Sequence, residues 1–109
     1  MSLVITVPKK LVSIIKKNSK ANVIVVGPHG TVTPNFIRKE TGADYIIRGE
    51  CDLVVPEIIN KRFKNIESIH GVCSKTHTSH SIAEVKNLDD IPIPRLDLLN
   101  LYLYEPQIW

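Results

Sequence analysis

The chain has 109 residues, 43% hydrophobic and 23% charged, the balance of a globular domain with one modest core. No apolar run approaches the roughly 18–20 residues of a membrane helix, and the first residues do not read as a secretory signal. Two cysteines, Cys51 and Cys73, are too few for a disulfide framework, and the mild net charge of +3 gives no strong electrostatic partner, so a cytoplasmic protein is expected.

In chain order, residues 3–6 are short and β-branched and predict a strand. Pro8 suits a first helical position, and Leu11, Ile14 and Ile15 recur at helical spacing up to about Asn18. Residues 22–26 are apolar on both faces, as in a buried parallel strand, and stop at Gly27. Thr33 then Pro34 predict an N-cap and a helix through Glu40, closed by Gly42. A further strand over residues 44–48 stops at Gly49, and Asp52 is the expected cap of a helix over residues 53–63, with Pro56 tolerated in its first turn.

This β-α-β-α-β-α order predicts a parallel α/β sheet with right-handed crossovers in residues 1–66. Residues 67–86 read as a β-hairpin, with arms 68–75 and 81–85 around a polar turn at Thr76 to Ser79. Residues 87–109 carry alternating prolines and predict a stiff extended linker with an apolar, aromatic end. The lysines cluster on polar helix faces with few aromatics among them, so neither a nucleic-acid nor a membrane partner is expected.

The two strand ends that stop at glycine are the natural ligand edge of an open α/β sheet. The candidate binding residues are Gly27, Pro28, His29, Gly30 and Thr31 on the first loop and Arg48, Gly49 and Glu50 on the second. Glycine permits close backbone approach of a ligand, or simply ends a strand. The His29 imidazole can serve a ligand, a neighbouring domain or its own loop, and Arg48 and Glu50 can pair with each other or with ligand amides and phosphate. His70, Cys73, His77 and His80 are zinc-ligand types at short spacing, but on a hairpin the odd separation of His70 and Cys73 sends them to opposite faces, so no metal site is expected. Cys51 precedes a predicted helix, yet no base accompanies it and no catalytic residue is assigned.

Three stretches occur in order: Val25-Val-Gly-Pro-His-Gly-Thr-Val-Thr-Pro34, Ala43-Asp-Tyr-Ile-Ile-Arg-Gly-Glu50 and Leu88-Asp-Asp-Ile-Pro-Ile-Pro-Arg-Leu-Asp-Leu-Leu99. From about residue 3 to residue 104 the chain resembles the N-terminal cobalamin-binding-type domain of cobalamin-dependent radical S-adenosylmethionine (radical SAM) enzymes. The resemblance implies part of a flavodoxin-like, Rossmann-like sheet and a cobalamin cradle at the two loops, with the proline linker leading to a radical SAM catalytic barrel. The iron–sulfur cluster and S-adenosylmethionine of such enzymes belong to that barrel, and Cys51 and Cys73 do not form its Cys-x3-Cys-x2-Cys motif. Where the family often has Gly-Gly, this chain has Val26-Gly27, whose branched side chain narrows the approach of the cofactor tail. The resemblance implies a domain fragment that is not catalytic alone. The alternative is a non-catalytic interaction or oligomerisation module that has lost the cofactor. An exposed sheet edge further predicts a homo-oligomer in which residues 3–6 or 101–109 exchange contacts.

Overall fold

The computed structural model describes residues 3–104. Its order is α1 (Leu3–Asn18), β1 (Ile24–Val25), α2 (Pro28–Val32), α3 (Pro34–Thr41), β2 (Tyr45–Ile47), α4 (Val54–Asn60) and β3 (Val72–Cys73), with short 3-10 turns at Ile66–Ser68, Leu88–Asp90, Leu96–Leu98 and Leu101–Leu103. The result is a mixed α/β fold with a small open sheet ordered β1-β2-β3. Strands β1 and β2 are parallel (Ile24 opposite Tyr45, Val25 opposite Ile46), whereas β2 and β3 are antiparallel (Ile46 opposite Cys73, Ile47 opposite Val72). The expected run of three parallel strands is therefore corrected to one parallel pair and one antiparallel partner.

The strand expected at residues 3–6 is absorbed into α1. Ile5 and Val12 lie two helical turns apart on one side, and they are half-buried and buried respectively, so packing overrides the local β preference of the branched residues. Pro8 accordingly sits inside the helix rather than at its start; in the second turn its missing N–H removes one helical bond. Lys16 and Lys17 occupy the last turn, where cations complement the helix dipole, and the Asn18 side chain donates to the Ile14 carbonyl at 2.8 Å.

Asp44 ties the beginning of the sheet together. Its carboxylate accepts from the Val23 N–H at 2.7 Å and pairs with Lys16, while the Asp44 and Tyr45 amides both donate to the Val23 carbonyl at 3.0 and 3.1 Å. Gly42 closes α3 in the left-handed region (φ 78°), as its place in the sequence predicts. Thr33 stands at the N-cap position of α3 but does not cap it: its hydroxyl turns back to donate to the His29 carbonyl at 3.1 Å. Asp52 does not cap α4 either, which begins at Val54 and ends at Asn60, shorter at both ends than the predicted helix.

Strand β2 forms the centre of the core. Ile46 and Ile47 point to opposite faces and both are fully buried. Ile47 joins Val54, Ile58, Ile66, Ile69, Val72 and Ala83, whereas Ile46 joins Ile37, Ala43 and Cys73.

The hairpin expected over residues 67–86 does not form as such, because the backbone of residues 48–50 stands between its two arms. Arg48 N–H donates to the Gly71 carbonyl at 2.8 Å on one side. On the other, Ala83 N–H donates to the Arg48 carbonyl at 2.8 Å and Glu50 N–H to the Ala83 carbonyl at 2.9 Å. Ala83 thus bridges Gly49 in parallel instead of pairing with the first arm.

The linker is extended between its 3-10 turns and lies exposed except at the half-buried Ile91. Arg95 and Asp97 form a bidentate pair, both contacts at 2.8 Å, across the second of these turns. The radius of gyration, 15.6 Å, exceeds the roughly 13 Å of a close-packed chain of this length, consistent with a segment running off the core. Of the apolar end, residues 105–109 lie outside the described residues. Among the described residues, no helix is long and apolar enough to cross a membrane.

Candidate functional site

The two glycine-ended loops meet. Gly27 (φ 115°) follows β1 at the head of α2, with Pro28 in the first helical position and Thr31 N–H donating to the Gly27 carbonyl at 3.0 Å. Thr31 links this loop to the second one: its hydroxyl donates to the Gly27 carbonyl at 3.0 Å and accepts from Gly49 N–H at 2.9 Å. Arg48 completes the junction, its Nε donating to the Thr31 carbonyl at 2.8 Å and a terminal nitrogen to the Ser79 carbonyl at 2.6 Å.

These bonds assign roles to the predicted residues. Arg48 and Glu50 do not pair with each other. Arg48 fastens α2 to the 79–83 segment, and the Glu50 carboxylate accepts from the Val85 backbone N–H. Arg48→Lys keeps the charge but not the planar fork that reaches both carbonyls. It is expected to lower unfolding stability by about 2 kcal/mol, read by denaturant titration.

The glycines divide in the same way. A Cβ at Gly49 would stand 2.3 Å from the Ala83 carbonyl oxygen and 2.5 Å from Ile82 Cγ2, so the chain itself occupies the close approach that glycine opens there. Gly30 is buried for a similar reason, since its Cβ would meet Ile46 Cγ2 at 2.9 Å. Around Gly27, nothing lies within 4 Å of the corresponding position. A mainly apolar cleft of about 240 Å³ opens beside it, lined by Pro8, Val25, Val26, Pro28, His29 and Ile37 among others. His29 and Val26 are exposed at its rim. As a test of fit for cobalamin, the Gly27 loop offers open backbone, whereas the Gly49 loop is filled and does not fit a cofactor tail.

Ser79 and Ala83 are the residues that sequence reasoning missed. Ser79 is buried; its hydroxyl accepts from Gly71 N–H at 3.1 Å, and its own N–H donates to the Cys73 sulfur at 3.3 Å. The available signal was the small side chains in the second arm, which permit backbones to approach on both sides of residues 48–50. Cys73 is buried in the core while Cys51 is half-buried, and both are free thiols. Among the described residues, no group of three or more His, Cys, Asp or Glu side chains is placed to hold a metal ion.

On a separate part of the surface, the Glu67 carboxylate accepts from the Ser74 and Thr76 hydroxyls at 2.6 and 2.9 Å. The Ser74 bond, then that of Thr76, holds its pKa below the ordinary glutamate value. Comparison with protein-family models, curated proteins and solved structures found no match to this chain.

Proposed function

We propose that the chain is a cobalamin-binding-type accessory part of a radical SAM enzyme, a portion of a flavodoxin-like sheet that presents one cofactor-facing loop and a linker to a catalytic barrel. The observation that carries this reading is the union of the Gly-Pro-His and Arg-Gly-Glu loops through Thr31 into one edge at the strand ends, with open backbone at Gly27. In this reading Gly27, Pro28, His29 and Thr31 form the cofactor side. Arg48, Gly49 and Glu50 act behind them by fixing the loop. Cobalamin, when bound, supplies the methyl-transfer and redox chemistry of its cobalt, and the barrel supplies the iron–sulfur cluster and S-adenosylmethionine; the chain itself positions and carries no catalytic group.

The second reading is an interaction module without cofactor, and the filled space at Gly49 favours it. Titration with hydroxocobalamin separates the two. Saturable retention of the cofactor through desalting, lost in Gly27→Val, supports the first reading. Absence of retention at concentrations that saturate other cobalamin carriers leaves the second.

Either reading expects association through apolar surface. Val7, Leu11, Ile14 and Ile15 form an exposed stripe on α1, and Leu98, Leu101, Tyr102 and Leu103 are exposed in the linker. Sedimentation of the chain alone is expected to show a concentration-dependent homodimer or larger assembly, shifted toward monomer by Leu11→Glu. A compact monomer at all concentrations contradicts this expectation.

A further inference from the structure

At the end of the sheet opposite the Gly27 and Gly49 loops lies a second cleft, of about 530 Å³, within the roughly 300–1,000 Å³ span of small-ligand sites. Its position follows from the topology: Asp44 precedes β2, and Ser74 and Lys75 follow the antiparallel β3, so all three sit at the amino end of the central strand. Neither loop of the proposed cofactor edge reaches it.

Three independent observations mark this cleft. First, Arg38 lines it with its Nε buried and without a hydrogen-bond partner among the described residues. A native protein rarely leaves such a group unmatched, and burial of Nε holds the guanidinium in place. Lys75 supplies a second, exposed cation among the lining residues, while the Asp44 carboxylate is already neutralised by Lys16 and the Val23 N–H.

Second, the loop beneath the cleft is strained. Arg62, Phe63 and Asn65 all adopt positive φ (51°, 59° and 51°), a conformation unfavourable for L residues and above all for a bulky one such as Phe63. The strained loop sets the Phe63 ring against Tyr45, ring centroids 5.6 Å apart, so an aromatic pair lines the cleft. Third, Glu67 takes both the Ser74 and Thr76 hydroxyls on Oε1, which leaves Oε2 as a fixed acceptor.

A pair of cations, an aromatic wall and a carboxylate acceptor correspond to the three parts of a nucleotide: phosphate, base and sugar hydroxyls. We propose that this cleft binds a nucleoside phosphate of mononucleotide size, with phosphate between Arg38 and Lys75, base against the Tyr45–Phe63 pair and ribose hydroxyls donating to Glu67.

The test is amide-resolved NMR titration of the full chain with AMP, adenosine and inorganic phosphate. AMP is expected to cause saturable shifts at residues 42–45, 63–67 and 74–76, with adenosine and inorganic phosphate each binding at least about tenfold more weakly. Arg38→Gln and Lys75→Gln are each expected to weaken AMP binding about tenfold. Lys75 is exposed, so its variant retains the fold even if Arg38→Gln does not. Unshifted amides at millimolar AMP, shifts confined to residues 26–32, or unchanged affinity in Lys75→Gln would overturn the proposal. Inorganic phosphate binding as tightly as AMP would reduce the site to a simple anion site and overturn it equally.

Discussion

Gly49→Ala is expected to unfold the second half of the sheet edge and to lower stability by at least about 3 kcal/mol, combining left-handed backbone strain with a steric clash. Gly49 has φ 92°, and its new Cβ would lie 2.3 Å from the Ala83 oxygen and 2.9 Å from the Ala83 nitrogen. No side-chain rotation relieves contact with backbone. The two segments must separate, which breaks the Ala83–Arg48 and Glu50–Ala83 hydrogen bonds at 2.8 and 2.9 Å. The check is thermal denaturation together with hydrogen exchange at the amides of Glu50 and Ala83, both of which should lose protection. Gly27→Ala is the control. With open space around it and φ 115°, it meets backbone strain alone, a cost of about 1–3 kcal/mol, and leaves those amides protected. Equal effects of the two substitutions would contradict the division of labour between the loops.

Ile47→Ala is expected to be comparably severe for a different reason. Ile47 is fully buried among Val54, Ile58, Val72 and Ala83, at the point where the central strand meets α4 and β3. Truncation removes apolar contact and leaves a cavity, at a cost of about 2–5 kcal/mol. Domains of this size have unfolding free energies of about 5–15 kcal/mol, so a large share of the total is lost. The corresponding fall in Tm is on the order of 10–25 °C, at several degrees per kcal/mol. Ile59→Ala, on the exposed side of α4, serves as the comparison and is expected to change Tm little.

The contrast between these positions explains what could be read from the sequence. The β1, α3 and β2 elements were legible because their signals are local: apolar runs ending at Gly27 and Gly49, Pro34 at a helix start and Gly42 at a helix end; the short helix α2 at Pro28–Val32, by contrast, was read as a loop. The first strand was misread because the β-branched run of residues 3–6 is a local signal too. The competing one, burial of Ile5 and Val12 on one helical side, is visible only when α1 is packed. The hairpin failed for a longer-range reason. Alternation within residues 68–75 and 81–85 fits mutual pairing, but the Arg48 backbone lies between the arms and bonds to both Gly71 and Ala83.

The candidate site shows the same limit. Sequence placed Gly27 to Thr31 and Arg48 to Glu50 at one edge, and Thr31 joins them. Glycine in a motif reveals that something comes close, but not what. At Gly49 it is Ala83 of the same chain, whereas at Gly27 the approach is open. Likewise Arg48 looked ligand-facing by residue type, yet its donors are directed to the Thr31 and Ser79 carbonyls. The proposed cofactor edge therefore rests on the first loop, and the second loop supports it from behind.

The most direct measurement of this account is a residue-resolved amide-shift map of the chain titrated with hydroxocobalamin. Perturbation centred on residues 26–32 is expected, with the amides of Gly49 and Glu50 nearly unmoved because Thr31 and Ala83 hold them. Shifts at residues 48–50 as large as those at Gly27, or none at either loop, would contradict it.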